Sequence, residues 1–278
     1  MLDSLPDPRL RLNAFSSPPN PPVHSVATAD SDGPQPSPTS AGTPRGRPIL
    51  IVDDEPDALE ILSVQLRELG HGLIPAQNGD EAIALCRQES PVLVVLDLML
   101  PGTSGFDVCR SMRQEASTAG IPILVLSACT DETDRIVAME LGADDYLTKP
   151  ANRRELILRC RKLLEISQLR GRNGTGCLRF PNLLIDSSYH NVVVDGSPVI
   201  LTPIEFKLLD LLARRNQSVQ SRDQLLKEVW GYRHGVESRT LDTHIKRLRH
   251  KLGTAGKHLE TVRGVGYRLN LAGPPQLQ

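Results

Sequence analysis

The stretch Val92–Gly102, VLVVLDLMLPG, constrains the fold more than any other part of the chain. A run of apolar, mostly β-forming residues ends in a carboxylate, Asp97, with Pro91 ahead of it and Pro101-Gly102 behind. Such a run reads as a strand buried on both faces, which belongs in a parallel sheet covered by helices. A charge is out of place within that strand but not at its carboxyl end, the edge where open α/β sheets bind ligands. Asp97 is therefore expected at a functional edge.

The segments around it repeat the pattern. PILIVDD is a short apolar strand ending in acids, followed by Leu59, Leu62, Leu66 and Leu69 at helical spacing and Gly70 as a stop. GLIPAQ precedes a helix through Ala82 to Cys86, and VLVVLDL one from Gly105 to Arg113. PILVLSA precedes a helix from about Glu132 to Leu141, and DDYLTK one from Arg153 to Glu165. Five strand–helix units predict an α/β domain: a five-stranded parallel, doubly wound, flavodoxin-like sheet.

After the polar SQLRGRNGTG the texture changes to short alternating strands with turn signals such as Asp195-Gly196. Thr202-Pro203-Ile204-Glu205 is a capping box with proline at the first helical position, and Ser221 opens a second helix in the same manner. A third helix is expected from about Arg239 to Leu252, then a glycine-turned hairpin in TVRGVGYRL. Three helices and a hairpin predict a C-terminal α+β winged helix-turn-helix domain.

Charge divides along the same boundary. Between Ile49 and Gln168 there are 20 Asp/Glu and 11 Lys/Arg, and between Leu169 and Gln278 there are 9 and 17. An acidic module joined to a basic one suggests different partners, nucleic acid for the basic one, although ordinary surface bias would look similar. The five cysteines are scattered without a CxxC pair, which fits reduced thiols in a cytosolic protein better than a disulfide frame or zinc site. No apolar run approaches the roughly 18 residues of a membrane span.

Acids end the first and third strands (Asp53, Asp54, Asp97), a hydroxyl the fourth (Ser127) and a cation the fifth (Lys149). Parallel strands bring these ends to one edge, where converging carboxylates would repel one another unless a divalent cation such as Mg²⁺ joined them. Carboxylates, Mg²⁺, a hydroxyl and a lysine suit the handling of a phosphoryl group. Taken singly, the acids could serve only a helix N-terminus, and the lysine could be a solvated strand end.

IVDDE, VVLDLMLPGTSGFDVCR, ILVLSA and GADDYLTKP resemble the receiver domain of two-component response regulators. LTPIEFKLL, LLKEVWG, RTLDTHIKRLRHKLG and TVRGVGYRL resemble the winged-helix output domain of the OmpR/PhoB subfamily. The resemblance implies a receiver over 47–166, a linker over 167–176 and a DNA-binding domain over 177–271. Residues 1–46, rich in Pro and Ser, and the tail 272–278 are expected to be disordered. It also implies that Asp97 takes a phosphoryl group from a sensor histidine kinase. Asp54, Asp97 and the Met99 backbone carbonyl would ligate Mg²⁺, with Asp53 acting through water. Lys149 would pair with phosphoryl oxygens, Ser127 would move to hydrogen-bond one of them, and Tyr146 would then swing inward.

The same resemblance implies a homodimer formed on phosphorylation through Arg135, Asp144, Asp145, Glu155 and Arg159, residues that otherwise read as a solvated charged face. It implies promoter DNA as ligand, a contact with RNA polymerase through the loop Gly231 to Glu237, and a cytoplasmic location. On the third output helix, Leu241, Ile245, Leu248 and Leu252 form one apolar stripe. Arg239, Thr243, Lys246 and His250 fall opposite it, with Arg247 beside them and Arg249 on the flank. Arg247 and Thr243 are expected at base edges and Arg239, Lys246 and Arg249 on phosphates, with His244 and His250 in the same DNA-contacting set. Arg263, at the hairpin turn, would reach the minor groove. Trp230 is expected in the core. The rival reading, a haloacid dehalogenase-type phosphatase, wants an acid two residues after the nucleophile, where this chain has Met99. A regulator that works without phosphate stays open as well.

Two positions depart from the family pattern. Ser127 stands where threonine is commoner, and Ala151 where phenylalanine often follows Lys-Pro.

Overall fold

Apolar runs with acids at their ends build the first half of the chain, as a computed structural model shows for residues 46–168, 176–231, 238–272 and 276–277. Expectations for residues 1–45, for the linker at 169–175 and for the loop at 232–237 lie outside these residues. Strands β1 (Ile49–Val52), β2 (Leu73–Ala76), β3 (Leu93–Leu96), β4 (Ile123–Ser127) and β5 (Asp145–Thr148) form one sheet in the order β2-β1-β3-β4-β5. Every pairing is parallel. Strands β1, β3 and β4 are buried along their whole length, as continuous apolar runs between two helical layers require.

Helices α1 (Pro56–Leu66), α2 (Gly79–Glu89), α3 (Gly105–Gln114), α4 (Glu132–Leu141) and α5 (Arg153–Gln168) cover the sheet. Their starts follow local chemistry. Asn78, Ser104 and Asp131 each accept a backbone N–H of the first turn of α2, α3 and α4, and Pro56 stands at the first position of α1. Gly70 ends the first helical segment in the left-handed region at φ 75°, as expected. Helix α5 runs three residues past Glu165 and into the expected linker.

The second half begins with a meander, β6 (Cys177–Phe180), β7 (Leu183–Asp186), β8 (Asn191–Val194) and β9 (Ser197–Pro198). Helices α6 (Pro203–Arg214), α7 (Arg222–Trp230) and α8 (Ser238–Lys251) follow, with β10 (Gln220–Ser221) between the first two. A short α9 (Gly253–Gly256) leads into the hairpin β11 (Leu259–Val262) and β12 (Gly266–Leu269), which pairs with β10. The capping box of α6 is complete: Thr202 N donates to Glu205 Oε2 at 2.9 Å and Glu205 N to Thr202 Oγ1 at 3.4 Å. One correction concerns the tail. Gln276–Leu277, placed in a disordered end by composition, form β13 and pair antiparallel with β6, because the open edge of that meander offers backbone partners.

Residues Thr43–Gln278 form one compact unit. A single apolar cluster runs from Leu156, Cys160 and Leu163 of α5 into Leu178, Ile204, Leu208 and Trp230 of the second half.

Candidate functional site

Backbone pairing sets the sheet edge. Asp97 N donates to Val52 O at 2.9 Å and Asp53 N to Ala76 O at 3.1 Å, so both acids continue the ladder one residue past their strands. Lys149 N likewise donates to Ser127 O at 2.8 Å. Asp53 and Asp97 are thereby side by side and buried, at 1 % and 6 % exposure. The Lys149 ammonium bridges them, 2.6 Å from Asp53 Oδ2 and 2.5 Å from Asp97 Oδ2. Burial lowers the affinity of that amine for its proton, but the hydrogen bonds and charges of Asp53 and Asp97 outweigh it, and the lysine titrates above its ordinary range.

The remaining carboxylate oxygens are held by backbone. Met99 N donates to Asp97 Oδ1 at 3.1 Å and Glu55 N to Asp53 Oδ1 at 3.2 Å. Gly105 is needed to shape the loop: a Cβ there would lie 2.2 Å from Asp97 O and 2.6 Å from Leu98 Cα. Asp54 stays exposed. Among the described residues no three His, Cys, Asp or Glu side chains gather closely enough to hold a metal, and the cation between Asp53 and Asp97 is the lysine.

Ser127 is fully buried, and its Oγ accepts from Cys129 N at 3.5 Å. Tyr146 was expected to turn inward after phosphorylation. Its ring is already inward at 7 % exposure, the hydroxyl donating to Cys129 O at 2.7 Å, and burial pushes its pKa up to about 12.

The residues expected on a free dimer face are largely engaged within the chain. Arg159 grips Asp145 through NH1 at 2.8 and 2.9 Å and Glu155 through NH2 at 2.6 Å, and both Arg159 and Asp145 are buried. Asp144 Oδ2 accepts from Arg113 NH2 at 2.8 Å and from Ile123 N at 2.9 Å. Burial demands such partners, and the reading of these positions as a solvated face is corrected accordingly. Arg135 reaches the second half instead, NH2 donating to Thr240 Oγ1 at 3.1 Å.

The apolar stripe is as expected: Leu241, Ile245 and Leu248 of α8, and Leu252 just past its end, are fully buried in their own domain. The opposite face of α8, expected to be free for DNA, lies against α4 and the turn that leads into β5. Arg239 pairs with Glu132, and Lys246 Nζ lies 2.6 Å from Glu140 Oε1. Arg247 NH1 donates to Met139 O at 3.2 Å and Ala143 O at 3.0 Å. Its other terminal nitrogen lies 2.9 Å from Glu205 Oε1 but off the axis of a hydrogen bond, so that contact is coulombic. Lys251 Nζ donates to Glu205 Oε2 at 2.7 Å. Burial raises the Glu205 pKa, Arg247 and Lys251 lower it more, and the group settles at about 2.

Three further expectations for α8 change with the packing. His244 is fully buried, 5.3 Å from the Trp230 ring centroid, and its Nε2 donates to Asp144 O at 3.1 Å. Burial and the neighbouring Arg247 charge push its pKa down to about 3, so it packs as a neutral ring. Thr243 is also buried, its hydroxyl donating back to Arg239 O at 3.0 Å. Arg249, assigned to phosphate, anchors the hairpin through Leu259 O and Thr261 Oγ1, each at 2.7 Å. His250 and Arg263 are exposed, and Trp230 is in the core as expected. A cleft of about 570 Å³ opens beside the contact, lined by Arg113, Gly142, Lys246, Arg247 and His250 among others.

Sequence reasoning read Glu205 only as a cap and missed it as the anchor of two cations. It also missed the Arg113–Asp144 pair, for which spacing carries no signal. His244 could have been found, since it adjoins Leu241, Ile245 and Leu248 at helical spacing.

Residues 49–161 match the family described as response regulator receiver domain, and residues 196–269 that described as transcriptional regulatory protein, C terminal. The phosphate regulon transcriptional regulatory protein PhoB of Pseudomonas aeruginosa is 40% identical over 230 residues, covering 81% of this chain and 98% of that protein. The transcriptional regulatory protein ResD of Bacillus subtilis is 42% identical over 232 residues, covering 80% and 95%. Among solved structures, a RitR mutant is similar with a TM-score of 0.65 at 26% identity, over 81% of this chain and 99% of that one.

Proposed function

The chain belongs to the OmpR/PhoB-type response regulators, DNA-binding regulators of transcription rather than classical enzymes, and from that premise we propose that Asp97 receives its phosphoryl group. The observation that carries this reading is the Lys149 ammonium held between the buried carboxylates of Asp53 and Asp97 at the sheet edge. An Asp97 oxygen attacks the phosphorus of a sensor kinase's phosphohistidine. The P–N bond breaks, a P–O bond forms, and the imidazole leaves. Lys149 then faces the phosphoryl oxygens, and Ser127, at the end of β4, moves to donate a hydrogen bond to one of them. Hydrolysis of the acyl phosphate by water returns the carboxylate.

Asp53, Asp54, Asp97 and the Met99 carbonyl are hard oxygen donors of the kind Mg²⁺ takes, and a pair of buried carboxylates already drawn to one cation favours such an ion. When bound, Mg²⁺ offsets the charge of carboxylates and phosphoryl oxygens.

Phosphorylation is read out through α4, β5 and α5 as a homodimer, with α8 on promoter DNA and RNA polymerase as the further partner. This assigns the protein to the cytoplasm; among the described residues no helix is long and apolar enough to cross a membrane. Incubation with acetyl phosphate and Mg²⁺ should add one phosphoryl group by intact mass, and Asp97→Asn should abolish it. Equal labelling of the variant would remove Asp97 from the role.

A further inference from the structure

Two lysines from different halves of the chain meet where α5 packs on α6. Lys162 belongs to α5 and Lys207 to α6, and both side chains reach the carboxyl end of α7. Lys207 Nζ donates to Val229 O at 2.9 Å, one residue before that helix ends. Lys162 passes so close over Gly231 that a Cβ there would lie 3.0 Å from its Cε and 3.3 Å from its Nζ. We infer that Lys207 is a modification site, a nucleophilic amine that takes the acyl group of small acyl phosphates while Lys162 holds their phosphate.

Like charges come together only where packing brings them, and here α5 and α6 share the apolar cluster of Leu163, Leu208 and Trp230. Val229 O is a neutral acceptor, whereas Lys162 has a carboxylate of its own, Glu165 Oε2 at 3.2 Å. Lys207 is therefore the one of the two that gives up charge. Burial first and the Lys162 charge second favour its neutral form, Glu165 and Glu228 oppose them only in part, and its pKa falls to about 8. Desolvation and a second cation nearby are what make a lysine nucleophilic near neutral pH. Both lysines are only half-buried and Gly231 is exposed, so a small reagent has access to the junction.

The chemistry balances without a further reactant. The neutral amine attacks the acyl carbon, a C–N bond forms, and the C–O bond to phosphate breaks. Phosphate leaves with that electron pair, and the surplus proton of the amine passes to it or to water. The Lys162 ammonium offsets the charge of the phosphate. The amide product keeps one N–H for Val229 O and leaves Lys162 without a like charge beside it.

The test incubates the full chain with acetyl phosphate and locates acetyl groups by peptide mass. At pH 8 about half of Lys207 is neutral, against roughly 0.4 % of a lysine at the ordinary value. A less basic amine is also a weaker nucleophile, so Lys207 should react about 10-fold faster than the exposed Lys227 and Lys257 rather than the full ratio. Its rate should level off above about pH 8, where that of an ordinary lysine rises on to about pH 10. Lys162→Gln should slow the reaction about 5- to 10-fold and Lys162→Arg should restore it, because charge rather than packing is responsible. Asp97→Asn should be acetylated like wild type, so the result does not depend on the phosphorylation pocket. Lys207 reacting no faster than the exposed lysines, or Lys162→Gln reacting like wild type, would overturn the inference. Loss of the acetyl group in Asp97→Asn would overturn it as well.

Discussion

Arg159 and His244 are both buried polar residues, and they stand for opposite ways of tolerating burial. Arg159 keeps its charge because Asp145 and Glu155 surround it. Removing one partner of a buried pair leaves the other uncompensated, so Arg159→Ala should cost about 3–5 kcal/mol in urea unfolding. A loss below about 1 kcal/mol, the range of exposed pairs, would contradict the buried geometry. His244 instead gives up its charge, its pKa falling from 6.5 to about 3 through burial and the Arg247 charge. The unfolded chain then binds the extra proton between these values, and stability drops as pH falls through that window. From pH 7 to pH 5 the loss should be about 2 kcal/mol more in wild type than in His244→Gln. Identical pH profiles would show that His244 does not titrate this way. Glu205 adds a second loss with the same sign only below about 4.5, as pH falls toward its pKa of about 2.

At the scale of elements, α3 and α8 show how a helix sets a site. Helix α3 begins against the loop after β3, with Gly105 N donating to Leu98 O at 3.0 Å. Gly105→Ala puts a methyl into the Asp97 backbone, and the shift should cost about 1–3 kcal/mol and slow labelling by acetyl phosphate. Wild-type stability and labelling in that variant would mean that the loop yields without disturbing Asp97. Helix α8 has two unequal attachments. Each of Leu241, Ile245, Leu248 and Leu252 contributes about 1.5–3 kcal/mol by burial in its own domain. Each exposed ion pair to α4 contributes about 0.2–1 kcal/mol. The helix is thus fixed to its own domain and only held by the receiver.

For the whole molecule, the face proposed for dimerisation and the face proposed for DNA cover one another. Phosphorylation that leads to a dimer through α4, β5 and α5 must first release α8. Light scattering should show a doubling of mass on phosphorylation, with DNA affinity rising in parallel. A dimer forming while α8 stays protected from hydrogen exchange would separate the two events. Arg135 is the better probe of this face than Arg159, because replacing Arg159 disturbs a buried network before it disturbs any interface.

Periodicity alone determined the parallel sheet, the helices around it, the capping box at Thr202 and the apolar stripe of α8, because each depends on neighbours close in sequence. It also brought Asp53, Asp97, Ser127 and Lys149 to one edge, since parallel strands order their ends. Only the tertiary structure decided that Lys149 bridges Asp53 and Asp97, that Asp145 is buried under Arg159, and that Arg247 faces Met139 and Ala143. Those contacts join residues from separate elements, in the case of α8 about a hundred positions apart. Helical spacing tells which face of α8 is polar. What that face meets depends on how two domains dock, through ion pairs and carbonyl contacts that leave no period in the sequence.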